Sequence, residues 1–360
     1  MPHYIRFLKP PKIVVSSKGE CFIETLVTIT TDLGDSFLAE DAKLISILQF
    51  TNICGGIPTP FEKTFSWKAG NRELKIVLGP CQLLVANQAA RLSVRDASGG
   101  LVDRLEPSKA PSIVTAWSAE FGMNCALHAD RLVERRFKLE IGPQLRTWEE
   151  TGNSIARHIW DAALGCVMEI QNAYMRLVGS IPQLQKLFYE RKNRELRVIE
   201  LGTGCGIVGI SIAQIVPHSF VLLTDLEEVQ GIVGRNLECA TFASFSAARF
   251  QVLDWDQRVP DDIAKHTYDL ILVSDCTYNA DSLPALVRML TTLVQISRTA
   301  IVLVSMKKRH DSEDLFFDLM KTAGFEINNR TVIPLPSLGS ENESVDIELY
   351  AFCKDSPVDS

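Results

Sequence analysis

The chain has 360 residues, 46% hydrophobic and 22% charged, with a formal net charge of −7 and a pI near 5.5. That length predicts two domains, and that balance is typical of a globular protein whose cores need neither disulfides nor metals. There is no run of about 18 apolar residues to cross a membrane, and an acidic chain argues against nucleic-acid binding, which calls for a concentrated basic face.

Residues 1–145 read mainly as short strands, predicted at 12–16, 21–30, 73–78, around Leu83-Leu84 and at 135–141. Turn formers such as Pro10-Pro11, Gly55-Gly56 and Gly99-Gly100 punctuate them. The spacing at 44–50 and 113–127 predicts helices. The expectation is an N-terminal β-rich or mixed domain over 1–145.

From Thr147 the pattern changes. An apolar stripe of Ile155, Ile159, Ala162, Ala163, Cys166, Ile170 and Tyr174 predicts a helix over 154–174. Strands at 197–201, 220–224, 249–253, 268–274 and 299–304 then alternate with helices at 207–215, 228–239, 283–293 and 311–322, and strands at 325–332 and 345–353 close the chain. Alternation at this spacing means right-handed crossovers. The predicted fold of 146–360 is α/β: a Rossmann-like, seven-stranded, mostly parallel sheet with helices on both faces. Ligands on such sheets bind beyond the carboxyl ends of the strands.

The strand exits carry chemistry. The first reads Glu200-Leu-Gly202-Thr-Gly204-Cys-Gly206-Ile-Val-Gly209. Its glycines let backbone approach a ligand, but GxGxxG alone does not separate a dinucleotide from other adenosine ligands. Glu200 does: a carboxylate beside the loop repels a pyrophosphate and attracts the sulfonium and amino cations of S-adenosylmethionine. Asp225, at the second exit, suits the ribose hydroxyls of either ligand, or caps a helix. At the third, Asp254 can accept from an adenine amino group and Trp255 can cover the ring. At the fourth, Ser274-Asp275-Cys-Thr-Tyr278 lies where a methyl would meet its acceptor. Asp275 can orient the acceptor nitrogen, and Tyr278 can wall the channel for a cationic side chain.

This combination resembles the lysine-specific seven-β-strand methyltransferases grouped as methyltransferase family 16, over about 149–353. The glycine loop, Asp275-x-x-Tyr278 and the stretch Gly152…Trp160-Asp-Ala162 carry the likeness. The resemblance implies that Trp160 lies against the cofactor, that Asp254-Trp255 is the adenine-side pair, that Arg235-Asn236 is a helix signature, and that the substrate is a non-histone protein. The first 145 residues lie outside it. Histidine-specific and small-molecule methyltransferases remain alternatives, as does a non-catalytic cofactor-binding scaffold. A base-amino enzyme ranks lower, because Cys276 and Thr277 stand where such enzymes carry prolines.

The nine cysteines are scattered without a CxxC pair, so reduced thiols, no metal, and a cytoplasmic or nuclear location are expected. Nothing marks an interface, and a monomer is expected. Lys307-Lys-Arg309-His310 and 191–194 are expected as solvated loops, and the tail from 354 as frayed.

Overall fold

A computed structural model of the chain describes residues 1–50, 61–81, 89–122, 126–152, 154–190, 194–310, 313–336 and 345–354. The strand expected at Leu83-Leu84, Gly55-Gly56, most of the 191–194 turn and the tail beyond 354 lie outside the described residues.

The N-terminal part is built from β1 (His3–Val15), β2 (Cys21–Thr30), β3 (Ala42–Phe50), β4 (Phe61–Trp67), β5 (Leu74–Leu78), β6 (Ala89–Asp96), β7 (Asp103–Arg104), β8 (Ile113–Val114), β9 (Ala116–Ser118), β10 (Phe121–Gly122), β11 (Leu132–Lys138) and β12 (Leu145–Glu150). One sheet runs β5-β2-β1-β8, and a larger one contains β12-β11-β9-β6-β3-β4. Ile5, Ile23 and Val27 of the first join Leu44, Leu92 and Val94 of the second in one buried cluster. The two predicted helices are strands. Residues 44–50 belong to β3, which lies between β4 and β6. Its apolar residues fall close together because an interior strand buried on both faces loses the alternation that marks a half-exposed one. Of the stretch 113–127, residues up to 122 carry the short strands β8, β9 and β10, and 123–125 lie outside the described residues.

The second sheet system follows the predicted α/β order. It contains α1 (Asp161–Tyr174), α2 (Pro182–Tyr189), β13 (Leu196–Leu201), α3 (Ile207–Ile215), β14 (Ser219–Asp225), α4 (Gln230–Cys239), β15 (Ala247–Val252), α5 (Asp261–Ala264), β16 (Leu270–Ser274), α6 (Leu283–Ile296), β17 (Ile301–Met306), α7 (Asp314–Thr322), β18 (Phe325–Leu335) and β19 (Val345–Lys354). The seven strands run β15-β14-β13-β16-β17-β19-β18, with only β19 antiparallel to its neighbours. Successive strand residues face opposite sides. Leu196 and Val198 therefore join the core under α1 and α3, and Ile199 and Leu201 the one under α6 and α7. Among the described residues no helix is long and apolar enough to cross a membrane.

The core under α1 and α3 is continuous with that of the N-terminal sheets. Asn236 of α4, fully buried, ties them together. Its Oδ1 accepts from the Trp148 amide of β12 at 2.7 Å, and its Nδ2 donates to the carbonyls of Trp148 (3.0 Å) and Cys205 (2.8 Å). Each orphaned buried polar group costs about 1–3 kcal/mol. Asn236→Ala is therefore expected to lose at least about 2 kcal/mol in a denaturant titration followed by circular dichroism. An unchanged midpoint would mean that water replaces the amide.

Candidate active site

The carboxyl ends of β13, β14, β15 and β16 open on one cavity of about 320 Å³. Trp160, Glu200, Gly202, Gly204, Asp225, Asp254, Trp255, Ser274, Asp275 and Tyr278 all line it. Gly206 is not among the lining residues. It sits in the turn that starts α3, where its amide donates to the Thr203 carbonyl at 2.7 Å.

The loop after β13 wraps Glu200. Its carboxylate is almost fully buried and accepts from the Thr203 hydroxyl at 2.5 Å and the Gly209 amide at 3.1 Å. Burial pushes its pKa up to about 7, against the lowering effect of those two donors. A methyl group at Gly209 would lie 2.3 Å from Leu223 Cδ2 and 2.6 Å from the Glu200 carboxylate, so only glycine lets α3 lie this close to the sheet. Asp225 accepts from the Gly204 amide at 2.8 Å and the Leu226 amide at 2.7 Å, which fixes its carboxylate at the cavity wall. Burial raises its pKa too. Asp254 accepts from the Asp256 amide at 2.9 Å, the turn that presents Trp255.

Trp160 lies just before α1, not within a helix. The helix expected from 154 begins only at Asp161, because the preceding residues bond back to the N-terminal sheet. The Ile159 amide donates to the Glu149 carboxylate at 2.9 Å, and the Glu150 amide to the Arg157 carbonyl at 3.0 Å. This loop supplies Ile155, His158 and Trp160 to the cavity wall.

Asp275 follows β16 with a φ of 54°, a left-handed conformation uncommon for a residue with a Cβ. Its amide donates to the Ser305 carbonyl at 2.8 Å. Both carboxylate oxygens accept from Arg309, at 2.5 and 2.7 Å, and the Arg309 guanidinium also lies 5.2 Å from the Trp160 ring. The expectation of a solvated 307–310 loop is corrected for Lys307 and Arg309, while Lys308 and His310 are exposed. Lys307 is buried, 2.8 Å from Asp161, and Arg309 is mostly buried against Asp275. Nothing local in the sequence could announce these pairings, because the acids lie 146 and 34 positions away. Tyr278, 54% exposed, stands at the mouth. The Ser274 hydroxyl is buried with no hydrogen-bond partner among the described residues.

Six lining residues are carboxylic acids, namely Glu200, Asp225, Glu228, Asp254, Asp256 and Asp275, and none of those described is lysine or arginine. Arg309 pairs with Asp275, and Arg288 lies 3.1 Å from Asp256. The remaining acids make a cavity suited to a cation and hostile to a pyrophosphate. With the orphaned Ser274 hydroxyl and the glycine cradle, these residues fit S-adenosylmethionine.

A family model described as lysine methyltransferase matches residues 140–323, just over half the chain. The UPF0665 family protein C23C4.06c of Schizosaccharomyces pombe is 28% identical over 325 residues, spanning 87% of this chain and 91% of its own. EEF1A lysine methyltransferase 3 of Xenopus tropicalis is 28% identical over 54% of this chain and 79% of its own. Protein-lysine N-methyltransferase EFM6 of Saccharomyces cerevisiae is 25% identical over 50% and 75%.

Proposed function

Since the chain belongs to the lysine methyltransferase family and is an S-adenosylmethionine-dependent protein-lysine methyltransferase, we propose that the cavity at the strand ends is its active site and that a non-histone protein is its substrate. The cation-selective lining carries this reading. S-adenosylmethionine, when bound, supplies an electrophilic methyl group on a sulfonium.

Glu200 holds the positive end of that ligand, Asp225 its ribose, and Asp254 with Trp255 its adenine. Trp160 and Ser274 close the cavity wall. Asp275, whose oxygens Arg309 already engages, orients the acceptor nitrogen and is not the group that removes its proton. An ion-paired carboxylate also attracts an approaching ammonium less strongly, which helps a lysine arrive neutral. Its ordinary pKa is about 10.4, so proton loss and desolvation on entry past Tyr278 set the reactive form. The relative named for EEF1A supports a protein substrate outside chromatin. A cytoplasmic or nuclear location and a monomeric state complete the proposal, with residues 1–145 as a domain that buttresses the catalytic one.

The test is ligand titration. S-adenosylmethionine should bind more tightly as pH rises between about 6 and 8, because Glu200, protonated below about 7, becomes an anion. Glu200→Gln should flatten that dependence and weaken binding at the upper pH by about 10–100-fold, the worth of a charged hydrogen bond. Calorimetry at both pH values measures it. Equal affinities for both proteins, or binding of a nicotinamide dinucleotide instead, would refute the assignment of the cavity.

A further inference from the structure

One side chain of the N-terminal part, beside the contacts of Glu149, ties it to two pieces of the active-site wall. Asp32 stands on the loop after β2 and is 2% exposed. Its Oδ1 accepts from Lys307 Nζ at 2.9 Å and from the Leu33 amide at 2.9 Å. Its Oδ2 accepts from Arg309 at 2.9 Å and from the Asp161 amide, the first of α1, at 3.3 Å. The loop itself is braced. Arg6 donates to the Asp32 carbonyl at 2.8 Å, and the Thr31 hydroxyl to Asp35 at 2.7 Å.

No side chain of α1's own N-terminus caps it. A capping acceptor at that helix end comes from Asp32, across the domain boundary, and its charge adds to that of Asp161 in the first turn. Helix α1 begins directly after Trp160, and Arg309 both grips Asp275 and lies over the Trp160 ring. One carboxylate therefore anchors two parts of the cavity wall that meet at Arg309.

We propose that Asp32 is a positioning residue for methyl transfer: it holds Arg309 and the start of α1 so that Asp275 and Trp160 face the reacting atoms in a fixed geometry. The N-terminal domain is then part of the catalytic apparatus and more than a buttress. This rests on the assignment of the cavity as the methyl-transfer site.

The prediction has a pH signature. The charged and titratable groups around Asp275 are Arg309 and Lys307 after β17, Asp32, and the neighbouring Cys276 and Tyr278. Burial pushes the Asp275 carboxyl up and Arg309 pulls it back. Loosening Arg309 lets it rise further, so Asp275 gains a proton at higher pH and the acid limb of the rate profile moves up.

The experiment uses the full chain carrying Asp32→Asn or Arg309→Lys, with circular dichroism to establish folding. S-adenosylmethionine binding is measured by calorimetry. Radiolabel transfer to the proteins of a cell extract is measured against cofactor concentration and pH. Both variants should lose at least about tenfold in maximal rate, as misplacement of reacting groups does, while cofactor affinity changes less than about threefold. Their acid limbs should shift upward. If Asp32→Asn does not fold, Arg309→Lys carries the test alone. A folded variant with the wild-type rate and pH profile overturns the proposal. So does a loss in stability or cofactor affinity with an unshifted profile, since Asp32 would then be scaffolding only. Wild-type protein that neither binds the cofactor nor transfers label would bring down the functional assignment and this proposal together.

Discussion

Arg135→Ala is expected to destabilise the protein by about 3–5 kcal/mol, the cost of leaving a buried charge without its partner. Arg135 is fully buried on β11. Its Nε donates to Glu149 at 2.7 Å, and another guanidinium nitrogen donates to the Thr115 carbonyl at 3.0 Å. Glu149 is itself 1% exposed, and its other oxygen receives the Ile159 amide that shapes the cavity loop. Burial alone would push Glu149 up, but Arg135, His158 and Arg6 together outweigh it and hold the carboxyl well below the usual range. Removing Arg135 leaves that buried carboxylate without its main cationic partner. The loss should appear as a drop in Tm on the order of 10 °C. Glu149→Ala added to Arg135→Ala should cost clearly less than the sum of the two single changes, because the second removes the stranded charge. Additive losses would show that the pair is not coupled.

Gly202→Ala is expected to lose cofactor affinity by at least about 100-fold with the chain still folded. Gly202 has a φ of 67°, where an L-residue costs about 1–2 kcal/mol. An added methyl would lie 2.5 Å from Cys276 Sγ and 3.1 Å from the Trp255 ring. Cys276 is buried beside Asp275 and has no room to retreat, and Trp255 can move only into the cavity it lines, the space proposed for the adenine. The strain and the clash together amount to several kcal/mol, and about 1.4 kcal/mol is tenfold in affinity. Calorimetric titration with S-adenosylmethionine measures it, with Gly152→Ala as the control, since nothing lies within 4 Å of that position. Wild-type affinity in Gly202→Ala would move the ligand away from the β13 loop.

The catalytic half was legible because its signals are local. An apolar strand followed at once by glycines, or by Asp225 or Asp275, states its place and its chemistry within a dozen residues. The helix at Ile207–Ile215 and the strands of the parallel sheet accordingly fall close to where the pattern puts them. What failed to show depends on distance. β3 reads as a helix because its burial between neighbours is a property of the whole sheet. The start of α1 is set by Glu149 and Asp32, not by a capping residue in its own sequence. Lys307 and Arg309 look like a charged loop until Asp32, some 275 positions away, is brought against them. Asp275 reads as a residue that orients the acceptor, and its engagement by Arg309, 34 positions away, is not legible in the sequence.

Transfer of the methyl group to a protein lysine is tested most directly with radiolabelled S-adenosylmethionine. The 360-residue chain is incubated with it and a total cell extract, beside an Asp275→Ala sample, and any labelled band is hydrolysed for amino-acid analysis. A labelled protein band that yields methyl-lysine, and is lost with Asp275→Ala, is the expected result. Label confined to histidine, to nucleic acid or to small molecules would contradict transfer to lysine, and label undiminished by Asp275→Ala would contradict the placement of the acceptor beside that residue.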